Sequence, residues 1–124
     1  MTTQGLALIL TSAGLTAGAN LMMRRGVLNA GGLSLAPAHL KSSLLVLAQQ
    51  PLFVGGVLLY GLAALIWFHI LSIEPLSTSY PLLVALTFLL VTGGAVALFH
   101  EAASIQKIAG IGIILLGIVL VSRA

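Results

Sequence analysis

The chain has no cysteine, which excludes disulfides, thiolate nucleophiles and thiolate metal sites. It is almost as poor in acid, for Glu74 and Glu101 are its only carboxylates. Charged residues make up 6% of its 124 residues, against roughly a quarter in soluble domains. With 60% hydrophobic residues, a soluble fold of this size could not hide its apolar surface, so the bilayer must be the solvent. The net charge of +3 rests on five scattered Lys and Arg residues. They are too few for nucleic acid and better suited to orienting a membrane protein or meeting anionic head groups. No nucleophile–base pair, metal cluster or phosphate loop stands at usable spacing, so neither an enzyme nor a cofactor is indicated.

What is there is apolar and continuous. Four runs, at about 6–23, 52–71, 79–99 and 104–122, approach the roughly 20 residues that a spanning helix needs. Backbone groups in hydrocarbon must pair within their own segment, so these are helices. The expected fold class is an all-α integral membrane protein with four transmembrane helices, a single transmembrane domain over 1–124. Ala17-Gly18-Ala19 resembles a signal cleavage site, but no Lys or Arg precedes Arg24, so the first run is expected to be retained. Between the first two runs, Gly26, Gly31, Gly32 and Pro37 predict irregular chain. Leu40, Leu44 and Leu47 then repeat at helical spacing, which predicts a short interfacial helix over 38–50.

In the first run Ser12, Thr16, Asn20 and Arg24 follow at intervals of four, along one face. They read either as hydrogen bonds between helices or as a polar track leading to a basic mouth. Gly14 and Gly18 offer a neighbouring face for close approach, as do Gly93 and Ala97 in the third run. In the second run Tyr60, Trp67 and Glu74 stand seven apart. An interfacial aromatic belt accounts for Trp67, whereas mid-helix Tyr60 suits packing or pathway lining. His69 has no second ligand at metal-binding spacing. The turn at 74–79 is short enough for an antiparallel hairpin, with Thr78 or Ser79 as cap and Pro81 in the first turn of the next helix. His100 and Glu101 close the third run, and Ser104 caps the fourth. That last run has no polar side chain between Ile108 and Val121, and its Gly110 and Gly117 mark it as an assembly helix. Arg24, Arg25, Lys41 and Lys107 fall on one side and Arg123 on the other. The bias places 24–51 and 100–107 in the cytoplasm and the termini outside.

Pro75, Tyr80-Pro81-Leu82, His100-Glu101, Gly110 and Gly117 resemble the small multidrug resistance-type fold of the drug/metabolite transporter superfamily (EamA-like). The resemblance is to the four-helix subunits of the aminoarabinose–undecaprenyl phosphate flippase, and it covers roughly 74–122. Ala19-Asn20-Leu21 through Arg24-Arg25-Gly26 is similar to the end of that family's first helix. The resemblance implies a bacterial inner (plasma) membrane protein, paired as a homodimer or with a similar four-helix subunit around a shared cavity. It places Glu101 at the start of the last loop and Tyr80 near the cavity. One departure matters. Multidrug antiporters of this type carry an acid in the first helix, and this chain has none there, so proton-coupled drug export lacks its buried carboxylate. The leading expectation is therefore a flippase subunit for a phosphate-bearing lipid, a polyprenyl phosphate or lipid-linked sugar. Its substrate-binding residues would be Ser12, Thr16, Asn20, Arg24, Arg25, Tyr60, Trp67, Tyr80 and Glu101. Glu101 would pair with an amino group on the sugar or with Arg24 or Arg25. The alternatives are a small-molecule exporter coupled through Glu74, Glu101 or a His, and an accessory subunit without transport of its own.

Overall fold

The computed structural model describes residues 2–123, whose regular structure is all helix, with no strand among them. The helices are α1 (Thr3–Asn29), α2 (Pro37–Ala48), α3 (Pro51–Ile73), α4 (Leu76–Phe99) and α5 (Ile105–Arg123). All but α2 are long and apolar enough to cross a membrane. At 12 residues α2 is about 18 Å long, too short to span.

Local chemistry sets each boundary, and several differ from the sequence-based expectation. α1 starts where the Thr2 hydroxyl accepts the Gly5 amide at 3.0 Å. It runs six residues past the expected end at Met23, so Arg24, Arg25 and Gly26 are helical. It stops at Gly31 and Gly32, whose φ of 86° and 93° only glycine adopts freely. At 1.5 Å per residue Arg24 lies roughly 31 Å along the axis from Thr3, about one hydrocarbon thickness away. The guanidiniums of Arg24 and Arg25 therefore belong at the membrane edge opposite the N-terminus. α4 begins at Leu76, earlier than expected, because Pro75 at φ −64° and ψ 134° releases the chain straight into helix. Neither Thr78 nor Ser79 is its cap, and the Ser79 hydroxyl donates instead to the Pro75 carbonyl at 2.8 Å. Pro81 thus lies inside α4 rather than in its first turn. Ser104 does cap α5, accepting the Lys107 amide at 3.1 Å.

The packing rests on a repeat of seven. Gly5, Ser12, Ala19 and Gly26 are all buried on α1, and Gly56, Ala63 and Ile70 are all buried on α3. Small residues let the two backbones close together, since lipid supplies no hydrophobic drive for helices to associate. A β-carbon on Gly56 would stand 2.9 Å from the Ala19 carbonyl oxygen, and one on Gly26 would stand 2.6 Å from the Phe53 amide nitrogen. At the far end of the seam the Gly5 backbone faces the Glu74 carboxylate. Glu74 is 8% exposed and accepts the Thr2 hydroxyl at 2.5 Å and the Thr2 amide at 3.3 Å. Beside it Ile9, Ile70 and Leu82 form the apolar core, covered in part by Ile118 and Val121 of α5.

Only Glu74 and Pro75 separate α3 from α4, yet these two helices do not pack as a hairpin. α1 packs extensively against both of them, while α3 and α4 make little contact with each other. The consequence is a cleft between α3 and α4 with α1 as its floor. α5 leans on α4 and buries no residue, and Gly14, Gly93, Gly110, Gly112 and Gly117 all face open space.

Candidate functional site

Three helices line the cleft with residues that recur at helical spacing. α1 supplies Thr16 and Asn20, and α3 supplies Tyr60 and Trp67. α4 contributes Tyr80, Leu83, Val84, Thr87, Phe88 and Val91. The volume is about 490 Å³, within the range of sites that take a small organic group. Trp67 and Tyr80 close one end, their ring centroids 6.0 Å apart and tilted by 52°. The walls are apolar with a few polar groups placed among them. Asn20 donates its side-chain amide to the Thr16 carbonyl at 2.8 Å, which fixes the side chain and turns it along the helix. The Thr87 hydroxyl is buried in the lining and has no hydrogen-bond partner among the described residues. An unpaired hydroxyl in an apolar environment costs about 1–3 kcal/mol, so this group is better satisfied by a polar ligand.

One turn beyond Asn20 on α1, outside the cleft lining, stands a cluster of charge. The Arg24 and Arg25 guanidiniums stand 5.2 and 5.1 Å from the centroid of the same ring, Phe99. Cation–π attraction at such distances gathers two like charges that would otherwise splay apart. Arg24 Nε also meets Glu101 Oε2 at 3.4 Å, and these side chains are 51% and 38% exposed. Glu101 reaches it because His100 ends α4 in a left-handed turn, φ 54° and ψ 34°. Histidine is among the residues that tolerate this region, and here it swings the following residue back toward α1.

Of the nine site residues expected from the sequence, five line the cleft: Thr16, Asn20, Tyr60, Trp67 and Tyr80. Three more, Arg24, Arg25 and Glu101, form a separate cluster outside the lining, the arginines over Phe99 and Glu101 paired with Arg24. Ser12 does not join them. It is 1% exposed in the α1–α3 seam, where its hydroxyl donates to the Ala63 carbonyl at 3.1 Å. Phe99 and Thr87 were missed. Thr87 carried a signal, as one of only two polar side chains between Pro81 and Phe99; Phe99 carried none.

Known proteins place this sequence. The chain is 39% identical over 106 residues to "Probable 4-amino-4-deoxy-L-arabinose-phosphoundecaprenol flippase subunit ArnF" of Yersinia enterocolitica, covering 84% of this chain and 82% of that protein. It belongs to the ArnE/ArnF family of flippase subunits. ArnE subunits match over a shorter stretch. That of Serratia proteamaculans is 44% identical over 67 residues, and that of Photorhabdus laumondii 36% over 69. These matches cover 54% and 56% of this chain and 57% and 60% of those subunits. No protein-family model and no solved structure matches the chain. ArnE/ArnF membership and four spanning helices make this a multi-pass membrane subunit of the transporter class.

Proposed function

We propose that this chain is one subunit of a flippase that carries a sugar-linked polyprenyl phosphate across the bacterial inner membrane. The observation that carries the reading is a pair of arginines held on α1 one turn beyond Asn20, which itself lines the cleft. Arg24 and Arg25 grip the phosphate at the membrane edge, since guanidinium forks match phosphate oxygens. The sugar enters among Thr16, Asn20, Tyr60 and Thr87, where ring faces and hydroxyls suit a pyranose or furanose, and Trp67 and Tyr80 stand at the far end. The polyprenyl tail stays in lipid, because the gap between α3 and α4 leaves the cleft open to the bilayer. Arg24, Arg25, Lys41 and Lys107 lie on one side against Arg123 on the other, which supports a cytoplasmic arginine pair and external termini.

A second subunit completes the site. Four helices with α5 against α4 alone leave the cleft open on one side, and a pair of such subunits would close it. The relatives' names distinguish two kinds of subunit, which favours an unlike partner over a second copy. The test is native mass spectrometry of the protein extracted in mild detergent, with lipids retained. The expected result is a two-subunit assembly carrying an anionic polyprenyl lipid, with occupancy at least tenfold lower in Arg24→Ala/Arg25→Ala. An assembly that never retains an anionic lipid would overturn the substrate class and favour a small-molecule exporter.

A further inference from the structure

Glu101 is out of place in a phosphate site. A carboxylate paired with Arg24 competes with the phosphate for that arginine and repels it. The ion pair it makes is weak by construction, a single contact at 3.4 Å between half-exposed side chains. It is also mounted to move. Glu101 lies in the non-helical stretch between α4 and α5, hung from α4 by the bond from its own amide to the Ala95 carbonyl at 3.4 Å. The side chain can leave Arg24 without disturbing either helix. By contrast Arg24 and Arg25 are held within α1 and against Phe99.

We infer that Glu101 is the residue that selects a phosphate lipid bearing a positively charged sugar. This rests on the flippase reading above and adds to it. Without substrate, Glu101 occupies Arg24, leaving only Arg25 for an incoming anion. A phosphate without a nearby cation has two poor choices. It binds Arg25 alone, or it takes both arginines and strands the carboxylate. A lipid whose sugar carries an ammonium group resolves the conflict by exchange: the phosphate takes Arg24 and Arg25 while the ammonium takes Glu101. The single charge of the phosphodiester is then shared by both arginines while the carboxylate keeps a cation, an arrangement that a lipid without the ammonium does not reach. Specificity of this kind works by leaving a charge unpaired with the wrong ligand. The named relatives' own substrate, an amino-deoxy sugar on a phosphate lipid, is of this class.

The test uses a matched pair of synthetic polyprenyl phosphate pentosides that differ only in an amino or a hydroxyl group on the sugar. Trp67 is the only tryptophan in the chain and lines the cleft, so with any tryptophan of an unlike partner replaced by phenylalanine its fluorescence reports binding to the purified assembly. The native protein should bind the amino lipid at least tenfold more tightly. Glu101→Gln should bring the two within about threefold by weakening the amino lipid and strengthening the hydroxyl lipid. Glu101→Asp, which keeps the charge, should retain most of the preference. Equal binding of both lipids by the native protein would overturn the inference. So would a Glu101→Gln variant that weakens both equally, since that is what a carboxylate serving only to steady Arg24 would do. If both lipids bind equally yet both are lost in Arg24→Ala/Arg25→Ala, the flippase reading stands and only the role of Glu101 falls. If neither binds the native protein, both fall.

Discussion

A single methyl group at Gly26 or Gly56 should push α1 and α3 apart. At Gly26 the added carbon would lie 2.6 Å from a backbone nitrogen, roughly 0.8 Å inside ordinary contact at 3.4 Å. Backbone cannot rotate away as a side chain can, so the helices themselves must separate. Opening a packed interface by 0.5–1 Å forfeits about a quarter to a half of the dispersion energy of each atom pair across it. Adding the usual cost of overpacking, about 1–3 kcal/mol is expected for Gly26→Ala and for Gly56→Ala. Gly14→Ala is the control, because nothing lies within 4 Å of its added carbon and alanine favours helix. The assay is unfolding by titrated SDS from mild detergent micelles, followed by helical circular dichroism. Equal midpoints for all three variants would show that the seam is not the close-packed interface that the repeat of seven implies.

Two further outcomes separate structural polar groups from transporting ones. Ser12→Ala should lower stability by about 0.6 kcal/mol, the usual scale of one hydrogen bond between membrane helices, and leave lipid occupancy unchanged in native mass spectra; lost occupancy would return Ser12 to the site. Glu74→Ala should cost about 1.5–3 kcal/mol through loss of the Thr2 clamp, whereas Glu74→Gln, which keeps an acceptor, should unfold near the native midpoint and flip lipid normally in vesicles. A Glu74→Gln protein that is stable but transport-dead would instead mark Glu74 as a coupling group.

The fold class was plain in the sequence because a bilayer permits so few solutions. Runs of about 20 apolar residues with almost no charge read as spanning helices whatever their packing. What composition could not supply was the partner of each face. Gly14, Gly18 and Gly93 looked like packing faces because glycines four apart mark one, yet Gly14 and Gly93 face open space and Gly18 meets only the Leu59 side chain. The seam that forms uses Gly5 and Gly26 on α1, which stand 21 residues apart and were not read together. The α3–α4 turn was legible as short, and short turns usually join neighbours that pack. Here α1 offers each helix a better small-residue or apolar surface than the other does, so they part, and the cleft exists because of that.

The same geometry explains why one face of α1, read along intervals of four, divides into three duties. Each step of four residues turns the helix about 400°, or roughly 40° beyond a full turn. From Ser12 to Arg24 the track therefore rotates about 120° around α1. A step of seven falls only about 20° short of two turns, so Ser12, Ala19 and Gly26 stay against α3. The two series share Ser12 and then separate. Ser12 is in the seam, Thr16 and Asn20 have turned into the cleft, and Arg24 has come round to Phe99 and Glu101. A polar stripe of period four on a helix packed with period seven cannot line a single wall. It runs as a shallow spiral from the α1–α3 seam, past the cleft, to the Arg24–Glu101 pair.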